Sequence, residues 1–369
     1  MADEKRRILQ LLEEGKLTIE EALSLIEKAD EADLAKKLNS EETLADDSVF
    51  QEKKKDPYQQ SAFKFQSAKE KLFDFVDNAV KKVKEVDFDQ LNITRHEEVS
   101  HIFQFTEVFP KNIDVDIPNG EVELIPWDQD EIRIECKAKI YRVDSTEQAK
   151  ELFLKEVQVK AKEDILELKV NHKWMKLQTK FYIPKNAYHI AKVRLFTGSI
   201  KTYDLLADQL FAKTANGKIT INAGQSEKLE ADAANGSIVI ENSVIEKLDG
   251  ETLNGAIKAE GFFQKVDLQS FNGNILCINH SEDIDVLELN GTTGSIEVQV
   301  PDQIAVTGNL KTNFGGFNVE LEGIQIIEEK NDVLQKVMQF QSIQSLDKRT
   351  KIEANTKTGS IKIKKREQQ

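Results

Sequence analysis

A mainly β chain, with a β-solenoid (β-helix-like) repeat body behind short N-terminal helices, is the fold this sequence predicts. Three observations carry it. A glycine, usually inside an Asn-Gly pair, recurs from Gly198 to Gly315 at spacings of 19, 19, 19, 18, 21 and 21 residues. Self-similarity at such a period marks a stacked repeat. The runs around those glycines, KTANGKITI, DAANGSIVI, ETLNGAIKA, QSFNGNILC and GTTGSIEV, alternate apolar and polar residues as half-buried strands do. One register also serves every repeat. With each glycine as the second turn residue, the positions three before and two after it face one side, as do those five before and four after. Gly236 gives Ala233 with Ile238 and Ala231 with Ile240, and the rule extends to Gly120 and Gly359.

In chain order, residues 1–30 form a helical hairpin for docking or oligomerisation. Ile8, Leu11 and Leu12 stripe its first helix, and Gly15 ends that helix. Thr18 and Glu21 make a capping box, and Ala22, Leu23, Ile26 and Ala29 supply the second buried face. So small a unit buries little alone, which points to a protein partner or to self-association through residues 4–29. Residues 31–60 are charged and polar, contain Pro57, and read as a linker. Residues 61–89 form an amphipathic helix, with Phe65, Leu72, Phe73, Val76, Val80 and Val83 on one stripe among lysines. Its segment 63–87 suits either peripheral contact with an anionic membrane or capping of the open end of the β body.

The β-repeat domain occupies residues 90–369. Asn119-Gly120 suits a type I′ turn, which wants two left-handed residues. A change of period at Ser145 predicts one helix, with Ser145 as N-cap of TEQAKELFLKEV. For the repeats two geometries are open: antiparallel hairpins, or parallel coils with the asparagines in a ladder. The constancy of the turn chemistry favours parallel stacking. Between Gly315 and Gly359 lie 44 residues, and NDVLQKVMQFQSIQSLDK reads there as a degenerate coil or a loop with a short helix. The last strand, GSIKIKKREQQ, ends in basic residues that would blunt a terminal edge.

A formal charge of −14, from 51 basic and 65 acidic residues, argues against nucleic acid as a partner and for a soluble, self-repelling surface. Cys136 and Cys277 lie far apart in apolar-patterned strands and read as core fillers. No run of 18 apolar residues occurs, so no transmembrane segment is expected. The N-terminus lacks a secretory pattern, so the expected location is cytoplasmic, peripheral at the inner membrane face through 63–87. His96, His101, His172, His189 and His280 show no metal-ligand spacing. Asp232, Asp249, Asp267, Asp283 and Asp285 do not hold one repeat position and read as a solvated face. No catalytic, cofactor-binding or metal residue is expected, and no cofactor. The chain reads as a non-enzyme.

The repeats TANGKITI, AANGSIVIE and KTGSIKIK, behind VDIPNGEVELIPWDQDEIRIE, resemble the bacterial "putative adhesin" β-strand-repeat family of unknown function. DEKRRILQLLEEGKLTIEEALSLIEK resembles the short helical module that precedes this domain in Gram-positive members. The resemblance implies a β-solenoid-like body and a link to envelope stress, and it brings no catalytic residues. The expected function is a cytoplasmic interaction or scaffold protein. The alternative is a carbohydrate-binding or carbohydrate-acting, adhesin-like protein, which would require a groove carrying convergent carboxylates or aromatics.

Overall fold

The computed structural model describes residues 96–332, 334–343 and 349–366. The expected hairpin at 1–30, linker at 31–60 and amphipathic helix at 61–89 lie outside the described residues.

The body opens with β1 (His96–Thr106), β2 (Asn112–Trp127) and β3 (Glu131–Tyr141). Strict alternation along β2 buries Ile113, Val115, Ile117, Val122 and Leu124 on one side. Helix α1 (Thr146–Glu156) begins where expected, with Ser145 Oγ accepting the Gln148 N–H at 3.2 Å. It buries Ala149 and Phe153, and the Phe153 ring stacks 6.3 Å from that of Phe103. β4 (Val157–Ala161), β5 (Ile165–Val170) and β6 (Met175–Pro184) follow. The pairs β1–β3, β3–β6 and β4–β5 are antiparallel.

From β7 (Tyr188–Thr197) onward the repeats pair in parallel. They comprise β8 (Ile200–Tyr203), β9 (Ala207–Asn216), β10 (Ile219–Asn222), β11 (Gln225–Asn235) and β12 (Ile238–Asn254). β13 (Ile257–Asn272), β14 (Ile275–Asn279), β15 (Val286–Thr293) and β16 (Ile296–Val300) continue them. Each glycine period lays one rung in register on the last, so that Ala212, Ala231, Gly250 and Leu268 stand in one inward column. The asparagines form a ladder: the side-chain amide of Asn235 donates to Asn216 at 3.0 Å, and Asn254 donates to Asn235 at 2.9 Å.

The chain is mainly β, but the expected β-solenoid is overturned by the pairing. Among the described residues, all strands belong to one 22-stranded sheet. Within it, β2, β7, β9, β11, β12, β10 and β8 return to β2, a closed ring of seven parallel-paired strands to which the others are added. Closure arises because β2 and β12 are 16 and 17 residues long and stay extended past their corners. Each therefore pairs on both sides of its bend and joins what a solenoid would keep as separate faces.

Chain order also breaks at the end of the body. β17 (Ala305–Phe314), β18 (Phe317–Glu320), β19 (Ile324–Asn331) and β20 (Lys336–Ser342) precede β21 (Arg349–Thr358) and β22 (Ile361–Lys365). Yet β21 lies between β15 and β17, and β22 lies between β16 and β18. The last strand is thus interior, and its lysines blunt no edge. The segment expected to be a degenerate coil or short helix supplies β20 instead, antiparallel to β17 and β19. The Phe340 ring is fully buried over Gly308, where an added Cβ would come within 2.1 Å of it.

The corners differ from type I′ turns. Among the described residues, the non-glycine residues with positive φ are Glu107, Arg142, Asp204, Ala223 and Asn242, and none precedes a repeat glycine. Glycine is required because the rungs approach closely: a Cβ on Gly236 would stand 1.8 Å from the Gly217 carbonyl oxygen.

Candidate functional site

On β11, β12, β13 and β15, alternation sends Leu229, Ala231, Leu248, Leu268, Leu287 and Leu289 inward, and the residues between them outward. Parallel in-register pairing then turns the outward residues into columns whose members lie about 4.8 Å apart. Lys228, Lys247 and Lys265 make the first column. Glu230, Asp249, Asp267 and Glu288 make the second, continued by Glu353 on β21. Asp232, Glu251, Gln269 and Asn290 make the third. Apart from Asn290 and Glu353, these residues line a groove of about 440 Å³ that carries three lysines and six carboxylates.

Like charges opposite one another across a sheet repel, and the lysine column offsets this. Lys228 lies 3.1 Å from Glu230, Lys247 lies 3.4 Å from Asp249, and Lys351 lies 2.6 Å from Glu353. At one end Lys213, from β9, binds Glu230 at 2.6 Å and Asp232 at 2.7 Å. Burial works to raise the Glu230 carboxyl, but the hydrogen bonds and charges of Lys213 and Lys228 outweigh it and the net shift is downward. Asp232 is only 8% exposed; burial raises its carboxyl, and Lys213 offsets this in part. Gln269 is 5% exposed. Its Nε2 donates to Asp267 Oδ1 at 3.0 Å, while its buried Oε1 has no hydrogen-bond partner.

The five aspartates expected not to hold one repeat position do not all share one, but a carboxylate column runs through two of them. Asp249 and Asp267 do share one position, and glutamates occupy it in the flanking rungs. Asp232 sits two residues further along, and Asp285 lies just before β15, where Lys265 reaches it at 3.7 Å. Testing aspartate alone hid the pattern; scanning for either acid at the glycine-relative position would have found it.

A second concavity, of about 410 Å³, lies where β11, β12 and β13 turn. Leu206, Val244 and Phe262 are 44%, 51% and 51% exposed there. Elsewhere the histidines are dispersed: His189 pairs with Asp208 at 2.7 Å, and His280 contacts Arg366 at 2.6 Å. Among the described residues no group of three or more His, Cys, Asp or Glu is arranged to hold a metal ion, and no helix is long and apolar enough to cross a membrane. Cys136 and Cys277 are buried thiols, each pushed up to about 12 by burial.

Comparison with known proteins adds the following. A family model described as Toastrack DUF4097 matches residues 110–366, and one described as a SHOCT-like domain matches residues 3–33. The chain is 42% identical over 368 residues to "Uncharacterized protein YvlB" of Bacillus subtilis (strain 168), covering 99% of each sequence. Among solved structures, a "putative adhesin" from Parabacteroides distasonis ATCC 8503 is 10% identical with a TM-score of 0.35, over 72% of this chain and 97% of that one. Another "putative adhesin", from Bacteroides fragilis NCTC 9343, is 12% identical with a TM-score of 0.32, over 73% and 97%.

Proposed function

The chain belongs to the Toastrack DUF4097 family, and from that premise we propose that it is a non-enzymatic protein that binds an extended carbohydrate along the groove of β11, β12, β13 and β15. The single observation behind this reading is the groove with its convergent carboxylates. Polar side chains recur there rung after rung, about 4.8 Å apart, and a hydroxyl-rich chain laid across the strands meets a hydrogen-bonding group at every step.

Binding fits the groove better than bond cleavage does. Glycoside hydrolysis needs one carboxyl held protonated and presented to the leaving oxygen. Asp232, a carboxyl that burial raises, is nearly buried and already held by Lys213 at 2.7 Å. Of the remaining acids, Glu230 stands beside Lys213 and Lys228, and Asp249 beside Lys247.

The test is retention of the full chain on an array of immobilised oligosaccharides, followed by solution binding of the best ligand. Retention that disappears in Glu251→Trp, which places a large ring in the groove lining, supports the reading. No retention on any glycan overturns it, and ligand cleavage that depends on Asp249 overturns its non-enzymatic part.

A second reading is favoured by the SHOCT-like match at residues 3–33. In it those residues dock a protein partner or a second copy of the chain. A pull-down and a sedimentation measurement with and without residues 1–89 test it; identical results would remove it.

A further inference from the structure

The strands that finish the N-terminal end of the body leave it open. Among the described residues, β1 pairs with β3 alone and β4 with β5 alone, so each is a terminal strand. Opposite residues in a strand pair share one face of the sheet. Phe103 and Phe105 stand opposite Ile134 and Ile132, and Val159 and Ala161 stand opposite Leu168 and Leu166. The four partners are fully buried, whereas the four terminal residues pack on the core and are only half-buried. Helix α1 covers part of this end through Phe153, whose ring centre lies 5.6 Å from that of His101. It leaves its own Leu152 half-buried and Leu154 59% exposed. A stacked repeat needs a cap where its core runs out.

The chain itself supplies a cover of the right length and chemistry. Residues 61–89 stop six residues short of His96, where β1 begins. Six residues reach at most about 22 Å, so the segment is held beside β1 at a high effective concentration. Taken as the helix its spacing predicts, it is about 43 Å long, against about 36 Å for β1. Laid antiparallel to β1, it runs from the His96 end past Phe105 and brings the Phe65, Leu72, Phe73, Val76, Val80 and Val83 stripe over the open core. The charges match in the same orientation. Lys81, Lys82 and Lys84 close the segment, while β1 and α1 together carry five carboxylates against two lysines. Glu97 and Glu98 lie at the attached end of β1, and Thr146 Oγ1 donates to Glu97 at 2.7 Å, which sets Glu147 of α1 at that end too.

We infer that residues 61–89 of this chain cap the N-terminal end of its own body, with their apolar stripe on Phe103, Phe105, Val159, Leu152 and Leu154. The cap removes half-exposed core side chains from water, which is the main favourable term in such docking. It also covers the free edge of β1, an 11-residue strand whose outer N–H and C=O groups would otherwise be a template for another chain. The inference stands apart from the carbohydrate-binding reading, because the groove lies on other strands.

The experiment follows amide hydrogen exchange of the full chain by mass spectrometry. Phe73→Asp with Val76→Asp breaks the stripe, and Asn78→Asp changes the opposite side of the same helix. The expected result is that the stripe variant speeds exchange of peptides over 101–106 and 157–161 at least tenfold while β12 keeps its protection. Asn78→Asp should match the parent throughout. Protection of 101–106 that is independent of protein concentration supports a cap from the same chain. Protection lost on dilution would give the cover to a second copy and overturn the inference. Exchange that rises equally in β12 would mark general unfolding and overturn a local cap. Unchanged exchange in the stripe variant would also overturn it. In that case, flotation with phosphatidylserine vesicles that the stripe variant loses would assign the stripe to a membrane surface.

Discussion

Thr252 Oγ1 donates a hydrogen bond of 3.0 Å to the carbonyl oxygen of Gly236, one rung back. The same contact recurs from Thr214 to Gly198, Ser270 to Gly255, Thr356 to Gly294 and Thr312 to Gly359. It gives a role to the Thr or Ser three places before five of the corner glycines. That residue is a clamp as well as a spacer, because its hydroxyl satisfies a carbonyl at the corner; Ala233 and Gly291 hold the same position as spacers alone. Thr252→Val keeps the shape and removes the donor, and is expected to cost about 1–3 kcal/mol for the orphaned carbonyl. The urea midpoint of the full chain measures it, and Thr252→Ser should recover most of the loss.

The partner of that clamp is the glycine itself. A Cβ on Gly236 would stand 1.8 Å from the Gly217 oxygen, whereas one on Gly316 would meet nothing within 4 Å. Gly236→Ala must therefore pry two rungs apart, at a cost on the order of 3 kcal/mol. Gly316→Ala should stay within about 0.5 kcal/mol of the parent. Equal melting temperatures for the two variants would refute the close-approach account of the corners.

Gly308 and Phe340 form a matched pair at the far end of the body, with the site of a Gly308 Cβ 2.1 Å from the ring. Phe340→Ala opens a cavity and should cost about 3–5 kcal/mol. Gly308→Ala alone displaces the ring. In the double variant the new methyl no longer meets the ring, so the two losses should sum to less than additive. A double-mutant cycle of urea midpoints checks this, and strict additivity would show that β20 does not pack on Gly308.

Cys136 and Cys277 are buried, and burial pushes both thiols up to about 12. Thiolate is the reactive form, so neither should alkylate in the native chain at neutral pH. Intact-mass measurement after iodoacetamide should show no adduct natively and two in urea. Prompt native labelling would place a cysteine outside the core.

The sequence carries some of this plainly and hides the rest for definable reasons. The inward register around Gly236 is legible because Ala231, Ala233, Ile238 and Ile240 are apolar at alternate positions, and all four are buried. The order of the last rungs is not. Gly315 and Gly359 share one turn chemistry, so spacing cannot say which stacks on Gly294; only the contact geometry puts Gly359 there. The closed ring was illegible because an extended strand reads the same whether it pairs on one side of a bend or on both. The acidic column was blurred by the interchange of aspartate and glutamate, and Gln269 by a signal that exists only in three dimensions, its unpartnered Oε1.

Glu167 gives the body a pH dependence whose sign follows from its partners. Hydrogen bonds from Lys160 Nζ, at 2.8 Å, and then from Lys169 hold its carboxyl below the ordinary value of 4.5. A group lowered on folding contributes stability that is present above its unfolded pKa and is lost as pH falls through its folded pKa. Asp232 acts with the opposite sign: burial raises it, so its contribution is present below the ordinary 3.8 and is lost as pH rises through the folded value. Glu167→Gln should therefore be less stable than the parent at pH 7, by a small amount because both lysines are more than a third exposed. The gap should close as pH is taken from about 5 downward, since both chains then lack the charged pair. Asp232→Asn should change the pH slope the other way, gaining on the parent towards neutral pH, because burial outweighs Lys213. Urea midpoints at a series of pH values distinguish the two, and a Glu167→Gln deficit that widens in acid would reverse the assignment.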